Sequence, residues 1–538
     1  MIYTITITVT PEAEKKPELI QSLLKKELKK MISQAEAKEK AIFVFEKKSI
    51  DARRGTVKLH LRYKAYVGEE PASPEAAVPV WKKADGKNSV IIIGSGPAGL
   101  FGALKLLEKG IKPVILERGE ETSERKKTIA KISTKDEVNA DSNYCFGEGG
   151  AGTFSDGKLY TRSNKRGNIN EVLLIFSHFG ADKKILTDAH PHIGTDRLPK
   201  VINNMRNKIL ELGGEIHFNT RCTGLITKKA DDGKLEIQGV RAENTKTKQE
   251  ECFYSTSVVL ATGHSAPDIY KMLAETAPQA LEAKTFAAGV RVEHPRRLID
   301  SIQFHGKNGS MPAAEYRLVT QAEERGVYSF CMCPGGFVVP SSSAPGEIVV
   351  NGMSAAARNS KWSNSAIVVE IRPEDIPEKY KKMAEEKNCP ALAGLFFRTE
   401  LEKSASKNGS GQAAPAQRLT DFLANKKSET LPPSSYTAGL ISSNLNECLP
   451  PHIKNRLHSA FEDFNKKMNG FVCEAALLIA VETRTSTPVR IMRENESLEC
   501  TKIKGLYPCG EGAGYSGGIV SSAMDGIKVC QKIIEKLS

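Results

Sequence analysis

The sequence lacks the features of membrane, secreted and metal-binding proteins. None of its apolar runs is long enough to cross a bilayer. The first residues, MIYTITITVTPEAEKK, alternate as a strand does and lack the basic start and apolar core of a secretion signal. The eleven cysteines are odd in number, follow no disulfide-scaffold spacing and do not cluster with histidines. We therefore expect a cytoplasmic protein without membrane insertion or a metal site.

One stretch has the complete pattern of a dinucleotide-binding unit, Ser89 to Arg118, SVIIIGSGPAGLFGALKLLEKGIKPVILER. An apolar strand leads into Gly94, Gly96 and Gly99, which permit a tight turn, close approach of a pyrophosphate and close helix packing. A second strand follows the helix and ends at Glu117, where a carboxylate can accept the ribose hydroxyls. The unit predicts a bound NAD or FAD.

Three further segments favour FAD. Cys145 to Arg162, CFGEGGAGTFSDGKLYTR, offers glycine backbone that can approach a phosphate or a flavin closely. Val258 to Gly263, VVLATG, is a strand that runs into a turn of small residues. Leu506 to Gly518, LYPCGEGAGYSGG, precedes a predicted helix from about Ile519 to Lys536, whose amino terminus can favour negative charge on the cofactor.

In this order and at these separations, the four segments resemble the flavoprotein superfamily that has a single Rossmann-type FAD domain interrupted by a substrate domain. The resemblance covers about residues 88–538. More narrowly, FCMCPGG at 330–336, VETRTSTPVRI at 481–491 and SIDARRG at 49–55 are similar to the FAD-dependent proteins labelled NAD(FAD)-utilising dehydrogenases. That label is itself inferred from the fold, so it adds little about the substrate.

The resemblance implies where the adenosine half of FAD binds. The three fingerprint glycines hold the pyrophosphate, and Glu117 holds the ribose. Cys222 lies in a predicted strand pair over 214–225 and offers its backbone to the adenine. Thr262 and Gly263 close the adenine side.

The resemblance also implies where the flavin half binds. Gly510 and Glu511 approach the ribityl chain, and Gly517 to Ile519 approach the flavin ring. The complete set of cofactor-binding residues that we expect is Gly94, Gly96, Pro97, Ala98, Gly99, Glu117, Arg118, Gly149, Gly150, Thr153, Cys222, Thr262, Gly263, Gly510, Glu511, Gly517, Gly518 and Ile519.

The predicted fold class is α/β in three parts. Residues 1–85 form a small basic α+β domain, in which residues 2–9 alternate as a strand and residues 12–31 have the pattern of an amphipathic helix. A linker rich in Pro, Ala and charge follows over 68–88. The remaining predicted parts are the FAD-binding domain in three pieces, 88–165, 200–265 and 475–538, and an inserted α+β substrate domain, 266–475.

The chain has no second strand, G-x-G-x-x-G turn and helix, the unit on which a separate NAD(P)H domain is built. If a nicotinamide reduces the flavin, we expect NAD(P)H to visit transiently or to bind through a surface of another kind.

The net charge of +13 suggests nucleic acid as a partner. The amino-terminal 90 residues supply nearly half of this excess of positive charge. Against this, basic and acidic residues alternate along the predicted helix, as in KKELKK, which is typical of a solvated face. The segment also lacks the aromatic motif of an RNA-recognition sheet.

Two cysteines are the sharpest candidates for chemistry. Cys331 and Cys333 in FCMCPGG could supply a thiolate beside the flavin. Alternation on a strand would place both thiols on one face, which suits a buried core equally well.

The remaining candidates are an arginine and three histidines. His264 follows the ATG turn and could reach solvent near the flavin, whereas His190 and His192 lie in a proline-broken loop. Arg484, among three threonines, could bind a substrate carboxylate or hold the flavin loop.

These patterns predict an FAD-dependent oxidoreductase, a dehydrogenase or reductase that passes a hydride or electron pair between a reductant and an unidentified small molecule. Two alternatives stay open. One is an FAD-dependent RNA-modifying protein that uses the basic amino-terminal domain, and the other is a non-catalytic flavin-binding module.

Overall fold

A computed structural model of the protein describes most of the chain. Parts of three sequence predictions lie outside the described residues: the linker at 72–77, Arg54 of the SIDARRG motif, and Arg162 of the second glycine-rich segment. In the described part, no helix combines the length and hydropathy needed to span a bilayer. The described residues are 1–33, 36, 39–53, 55–71, 78–161, 167–306 and 311–538.

The amino-terminal unit is a three-stranded antiparallel sheet with a helix on one face. Its elements are β1 (Ile2–Val9), α1 (Pro11–Glu14), α2 (Pro17–Lys29), β2 (Ala41–Asp51) and β3 (Lys58–Val67). The strand order is β1-β3-β2, and α2 buries Ile20, Leu24 and Leu28 against the sheet. The predicted single helix over 12–31 is divided, because Pro17 occupies a first helical turn, where its missing N–H costs nothing.

The first half of the central unit begins with the predicted strand, glycine turn, helix and strand. Its elements are β4 (Ser89–Ile93), α3 (Pro97–Leu107), β5 (Lys112–Leu116), α4 (Thr122–Lys135), α5 (Ile169–His178), α6 (Leu198–Glu211), β6 (Glu215–His217), β7 (Thr220–Lys229), β8 (Leu235–Asn244), β9 (Glu250–Tyr254) and β10 (Val258–Leu260). Strands β4 and β5 are buried apolar runs, as expected of a parallel sheet covered on both faces.

A long insertion follows. Its elements are α7 (Pro267–Thr276), β11 (Leu281–Ala283), β12 (Phe286–Pro295), α8 (Arg296–Gln303), β13 (Val319–Ala322), β14 (Arg325–Cys333), β15 (Phe337–Pro340), β16 (Val350–Met353), β17 (Trp362–Ile371), α9 (Glu378–Glu385), α10 (Ala393–Asn408), β18 (Ala414–Arg418), α11 (Leu419–Leu423), β19 (Leu440–Ser442), α12 (Leu445–Cys448), α13 (Pro451–Lys467) and β20 (Leu477–Glu482). Seven of its strands form one sheet in the order β13-β14-β17-β12-β20-β18-β19.

The carboxy-terminal segment returns to the central unit. Its elements are β21 (Val489–Ile491), β22 (Ile503–Lys504), β23 (Leu506–Pro508) and α14 (Ile519–Leu537). The parallel sheet has the order β23-β10-β4-β5-β6, so strands from both sides of the insertion complete it. The predicted α/β fold class, with an interrupted Rossmann-type sheet, is confirmed.

One local prediction needs correction, and one strand pairs outside the piece predicted for it. The expected strand pair over 214–225 does not form, because β6 joins the parallel sheet while β7 pairs with β8 in a separate sheet. Strand β20 lies within the piece predicted for the FAD domain, yet it pairs with β12 and β18 of the insertion. The strand LLIAVE is apolar up to its last residue, Glu482, and such a run carries no signal for which sheet it joins.

Candidate functional site

A single cavity of about 350 Å³ brings the four glycine-rich segments together with residues of the insertion. Helices α3 and α14 both begin at its wall. Of the predicted cofactor-binding residues, those that line it are Gly94, Gly96, Pro97, Ala98, Glu117, Arg118, Gly150, Cys222, Thr262, Gly263, Gly510, Glu511, Gly517, Gly518 and Ile519.

The glycine turn leaves the start of α3 open to a ligand. Gly96 is the N-cap residue, and no side chain caps the helix there. A Cβ on Gly96 would meet a single neighbour within 4 Å, the Cα of Gly150 at 3.7 Å, so a side chain would project into the cavity. A Cβ on Gly99 would lie 2.0 Å from the carbonyl oxygen of Gly94. Gly99 is therefore needed for packing and is absent from the described lining residues.

Glu117 is buried with both carboxylate oxygens already bonded to the protein. One oxygen accepts from the N–H and the hydroxyl of Ser95 at 2.9 and 2.8 Å. The other accepts from the N–H groups of Gly119 and Gly147 at 2.9 and 3.0 Å. Four donors fill the acceptor positions of a carboxylate. A ribose hydroxyl would therefore bond to Glu117 by replacing one of them.

Arg118 adds a charged wall at the same end of the cavity. Its guanidinium donates to Asp141 at 3.0 Å and to Asp268 at 3.1 Å, and it lies 4.3 Å from the centre of the Phe146 ring. Nearby, burial raises the pKa of the Cys222 thiol to about 12, so this cysteine stays protonated.

Gly149 and Thr153 are not among the described residues that line the cavity, and they stabilise the backbone of the second glycine-rich segment instead. The Thr153 hydroxyl donates to the carbonyl oxygen of Glu148 at 3.0 Å, and a Cβ on Gly149 would lie 2.0 Å from that hydroxyl oxygen. Arg125, which is fully buried in α4, carries no signal in the sequence that would have selected it. Its guanidinium donates to five carbonyl oxygens in and just before this segment, those of Asn143, Tyr144, Gly147, Glu148 and Gly150.

The opposite end of the cavity is formed by the carboxy-terminal segment. Gly518 has a φ of 94° and no side chain caps α14, so the helix begins with its N–H groups near the cavity. The backbone N–H of Gly518 favours the ionised form of the Glu511 carboxyl, but burial outweighs it. Burial raises the pKa of Glu511 to about 7. This carboxyl can therefore hold or release a proton near neutral pH.

Residues of the insertion close this end. Phe330, Cys331 and Asn351 line it, opposite Lys158 of the second glycine-rich segment. The Lys158 Nζ lies 3.9 Å from the Cys331 Sγ and 3.6 Å from the Cys333 Sγ.

The expectation of regular alternation in FCMCPGG is wrong. The register of β14 shifts between Phe330 and Cys333, and Cys331 has a φ of 45°. Cys331 consequently reaches the cavity, whereas Cys333 is fully buried behind it.

Contrary to expectation, His264 does not reach solvent. It is buried at the cavity wall, and its Nε2 donates to the carbonyl oxygen of Arg484 at 2.7 Å. Burial lowers the pKa of His264 to about 4, so the ring is neutral at pH 7. His190 and His192 bond to Glu315 and to the Ala356 carbonyl oxygen, and neither is among the described residues that line the cavity.

Arg484 lines the cavity with its charge already neutralised. It forms a bidentate pair with Glu402 at 3.1 and 2.9 Å and a second pair with Glu347 at 3.3 Å. It also donates to the Cys145 Sγ at 3.3 Å. Arg484 thus joins the insertion to the second glycine-rich segment, and its two expected roles, binding a substrate carboxylate and holding the flavin loop, stay predictions.

The cavity has the features that FAD requires. Glycines on its wall leave room for a ligand to approach the backbone. Two helix amino termini at the wall provide N–H groups for phosphate or for a negatively charged ring. Within the described ranges, His, Cys, Asp and Glu side chains form no group of three that could hold a metal ion.

Known proteins are similar to this chain along most of its length. Residues 87–133 match the family described as FAD binding domain, and residues 285–485 match the family described as FAD-dependent protein, C-terminal domain-like. Residues 1–66 match a domain of unknown function. A Clostridium beijerinckii protein described as uncharacterized is 44% identical over 456 residues, which cover 83% of this chain and 80% of that protein.

Two solved structures match this chain at low identity and low TM-score. The Bacillus halodurans glycerol-3-phosphate dehydrogenase complexed with FAD is 14% identical with a TM-score of 0.25, and the match covers 46% of each chain. This chain therefore spans less than half of that enzyme's length. The open conformation of a flavocytochrome c3 fumarate reductase is 12% identical with a TM-score of 0.30, and the match covers 86% of this chain and 81% of that one.

Proposed function

We propose that this chain, which belongs to one family with its Clostridium beijerinckii relative, is an FAD-dependent oxidoreductase, because it matches the models described as FAD binding domain and FAD-dependent protein, C-terminal domain-like. When bound, FAD supplies the hydride or electron-pair chemistry between a reductant and a substrate. The observation that carries the proposal is the single cavity, which joins the glycine turn of α3 to residues of the insertion.

The turn before α3 would bind the pyrophosphate. The first N–H groups of a helix have no partner within the helix, and the helix dipole favours negative charge there. Gly96 lets a phosphate approach this backbone without meeting a side chain. Arg118, held by Asp141 and Asp268, would border the adenosine together with the Cys222 backbone.

The amino terminus of α14 would orient the flavin half. Its free N–H groups stabilise negative charge, which favours a reduced flavin over an oxidised one. Glu511 would hold a proton at its carboxyl beside this end, because its pKa is about 7. Arg484 and Glu402 would fix the wall between the two halves.

The substrate and the reductant would both enter on the side of Lys158 and Tyr160. Tyr160 lines the cavity while 51% of its surface is exposed, so the cavity opens to solvent there. The insertion contributes Phe330 and Asn351 to the same end and would position the substrate. NAD(P)H would visit this opening transiently, in keeping with the single dinucleotide fingerprint of the sequence.

Anaerobic addition of NADH or NADPH to the purified protein tests this function. We expect a yellow protein whose visible flavin absorption is bleached by one of the two nicotinamides and returns when an electron acceptor is added. A flavin-containing protein that neither nicotinamide bleaches would contradict the proposed reductant. A protein without flavin that takes up no added FAD would contradict the whole proposal.

A further inference from the structure

Cys331 and Cys333 form a cluster with two cations, the half-buried Lys158 and the buried Arg291, at the insertion side of the cavity. Lys158 approaches both sulfur atoms, as described above, and is itself paired with Asp156 at 3.2 Å. Arg291 is fully buried and donates to the Cys331 carbonyl oxygen at 3.3 Å. The cluster therefore places two thiols beside an ammonium and a guanidinium group, which are paired with Asp156 and Glu482 respectively.

The backbone around the pair is shaped for this arrangement. The bulge in β14 turns Cys331 towards the cavity, and its φ of 45° is uncommon for a residue with a side chain. The Cys333 Sγ also lies 3.3 Å from the Cys331 carbonyl oxygen. A Cβ on Gly352 would lie 2.4 Å from the Arg291 guanidinium and 2.9 Å from the Cys333 Sγ. The glycine leaves the space in which the thiol and the guanidinium lie side by side.

The charges around the pair leave one proton on two sulfur atoms. A hydrogen bond from Cys333, together with Lys158 and Arg291, lowers the pKa of Cys331 well below its usual value despite burial. The same hydrogen bond and burial raise the pKa of Cys333. The carboxyl groups that face the pair are Asp156, Glu482 and Glu511, and the two cations outweigh them. Cys331 is therefore the thiolate and Cys333 the thiol.

The other two cysteines on the cavity wall have different surroundings. Cys222 has a raised pKa and donates to the Gly224 carbonyl oxygen, so it is a protonated thiol. Cys145 accepts a hydrogen bond from Arg484, which Glu402 and Glu347 already neutralise. Among the described cysteines of the cavity, Cys331 alone has a second cysteine and an ammonium group beside it.

We propose that Cys331 and Cys333 are a redox-active pair and that the substrate is a small disulfide. This inference rests on the proposed function, because it needs FAD in the cavity. The Cys331 thiolate attacks one sulfur of the disulfide, its S–S bond breaks, and the first thiolate leaves and takes a proton from solvent. Cys333 then attacks the Cys331 sulfur and gives up its proton, which leaves with the second substrate thiol.

The cycle closes with electrons from the nicotinamide. Bound FAD would pass two electrons and one proton from NAD(P)H to the disulfide formed between Cys331 and Cys333, which would return to a thiolate and a thiol. In sum, one disulfide, one NAD(P)H and one proton give two thiols and one NAD(P)⁺.

Electron counting on the FAD-containing protein tests the pair without any turnover. The oxidised protein, titrated anaerobically with dithionite, should take up four electrons per FAD, two for the flavin and two for the disulfide. The Cys331→Ser and Cys333→Ser variants should each take up two. Cys252→Ser, which changes an exposed cysteine, is the matched control and should still take up four.

The electron uptake of the wild-type protein can contradict the inference by itself. The test therefore does not depend on whether the serine variants fold. Uptake of two electrons by the FAD-containing wild type contradicts the cysteine pair and leaves the proposed oxidoreductase standing. Uptake of four by both serine variants contradicts it equally. Absence of flavin contradicts the proposed function itself, which is a separate outcome.

Reactivity at low pH tests the role of Lys158. The reduced protein should react with the small disulfide 4,4′-dithiodipyridine at pH 5, where ordinary thiols are protonated, and peptide mapping should place the reaction at Cys331 and Cys333. Lys158→Met removes the ammonium group beside Cys331, so the pKa of Cys331 should rise and the rate at pH 5 should fall. An unchanged rate would contradict the thiolate–ammonium pair.

Discussion

At the scale of single residues, buried charges hold the cavity wall together. Arg484 and Glu402 are both almost fully buried, and their bidentate contact joins the carboxy-terminal segment to α10. Desolvation opposes ionisation of Glu402, and Arg484 holds the pKa of this carboxyl below its usual value against it. Breaking such a pair is costly because it leaves one charge buried and unpaired.

The Arg484→Met variant should therefore lower the free energy of unfolding by about 3 kcal/mol. The loss should be smaller at pH 5 than at pH 8. Without Arg484 the Glu402 pKa in the folded state rises above its unfolded value, so stability falls as pH rises through that interval. Thermal unfolding at the two pH values measures both effects.

The matched control for this prediction is Lys208→Met, which removes an exposed pair with Glu211 and should leave the unfolding temperature unchanged. The double variant Arg484→Met with Glu402→Gln should be less destabilised than the single variant, because no charge remains unpaired. Equal unfolding temperatures for Arg484→Met and the wild type would contradict the buried pair.

At the scale of secondary-structure elements, the contact between α3 and α14 sets both helix amino termini at the cavity. A Cβ on Gly526 of α14 would lie 2.1 Å from the carbonyl oxygen of Ala98 in α3. The carbonyl oxygen of Ala98 belongs to the helix backbone, so it cannot move away as a flexible side chain could. The two helices can approach this closely because residue 526 has no side chain.

Gly526→Ala should push the two helices apart and lower the free energy of unfolding by about 1–3 kcal/mol. It should also weaken FAD binding, because both helix amino termini move relative to each other. Flavin content and thermal unfolding measure the two effects, and Lys528→Ala on the exposed side of α14 is the control. Full flavin content at unchanged stability would contradict the role of this contact.

Comparison of these elements shows what can be predicted from sequence. Gly94, Gly96 and Gly99 lie within one strand, turn and helix, so their spacing alone predicts the unit that β4 and α3 form. Gly526 lies more than 400 residues from α3, and an isolated glycine in a helix carries no signal for its partner. The motif alone points to Cys331 and Cys333. Their neighbour Lys158 could not be predicted, because the contact between Lys158 and Cys331 depends on the bulge in β14.

At the scale of the whole molecule, the ends of the central unit meet across the insertion. Strands β10 and β23 are neighbours in the parallel sheet although the insertion separates them in sequence. The amino-terminal unit attaches to this body through backbone hydrogen bonds of Lys48 with Thr187 and Ala189. The predicted domain boundaries and the nucleic-acid alternative stay predictions.

The central claim is that one FAD binds in the cavity that the two helix amino termini share. The most direct measurement is the amount of FAD released per chain by denaturing the purified wild type and Gly96→Ala. Gly96 has a φ of −74°, which suits alanine, and its Cβ would meet the protein only at 3.7 Å, so the variant should fold. We predict one FAD per wild-type chain and little or none in a folded Gly96→Ala variant. Equal FAD content in the two proteins, or none in a wild type supplied with FAD, would contradict the account.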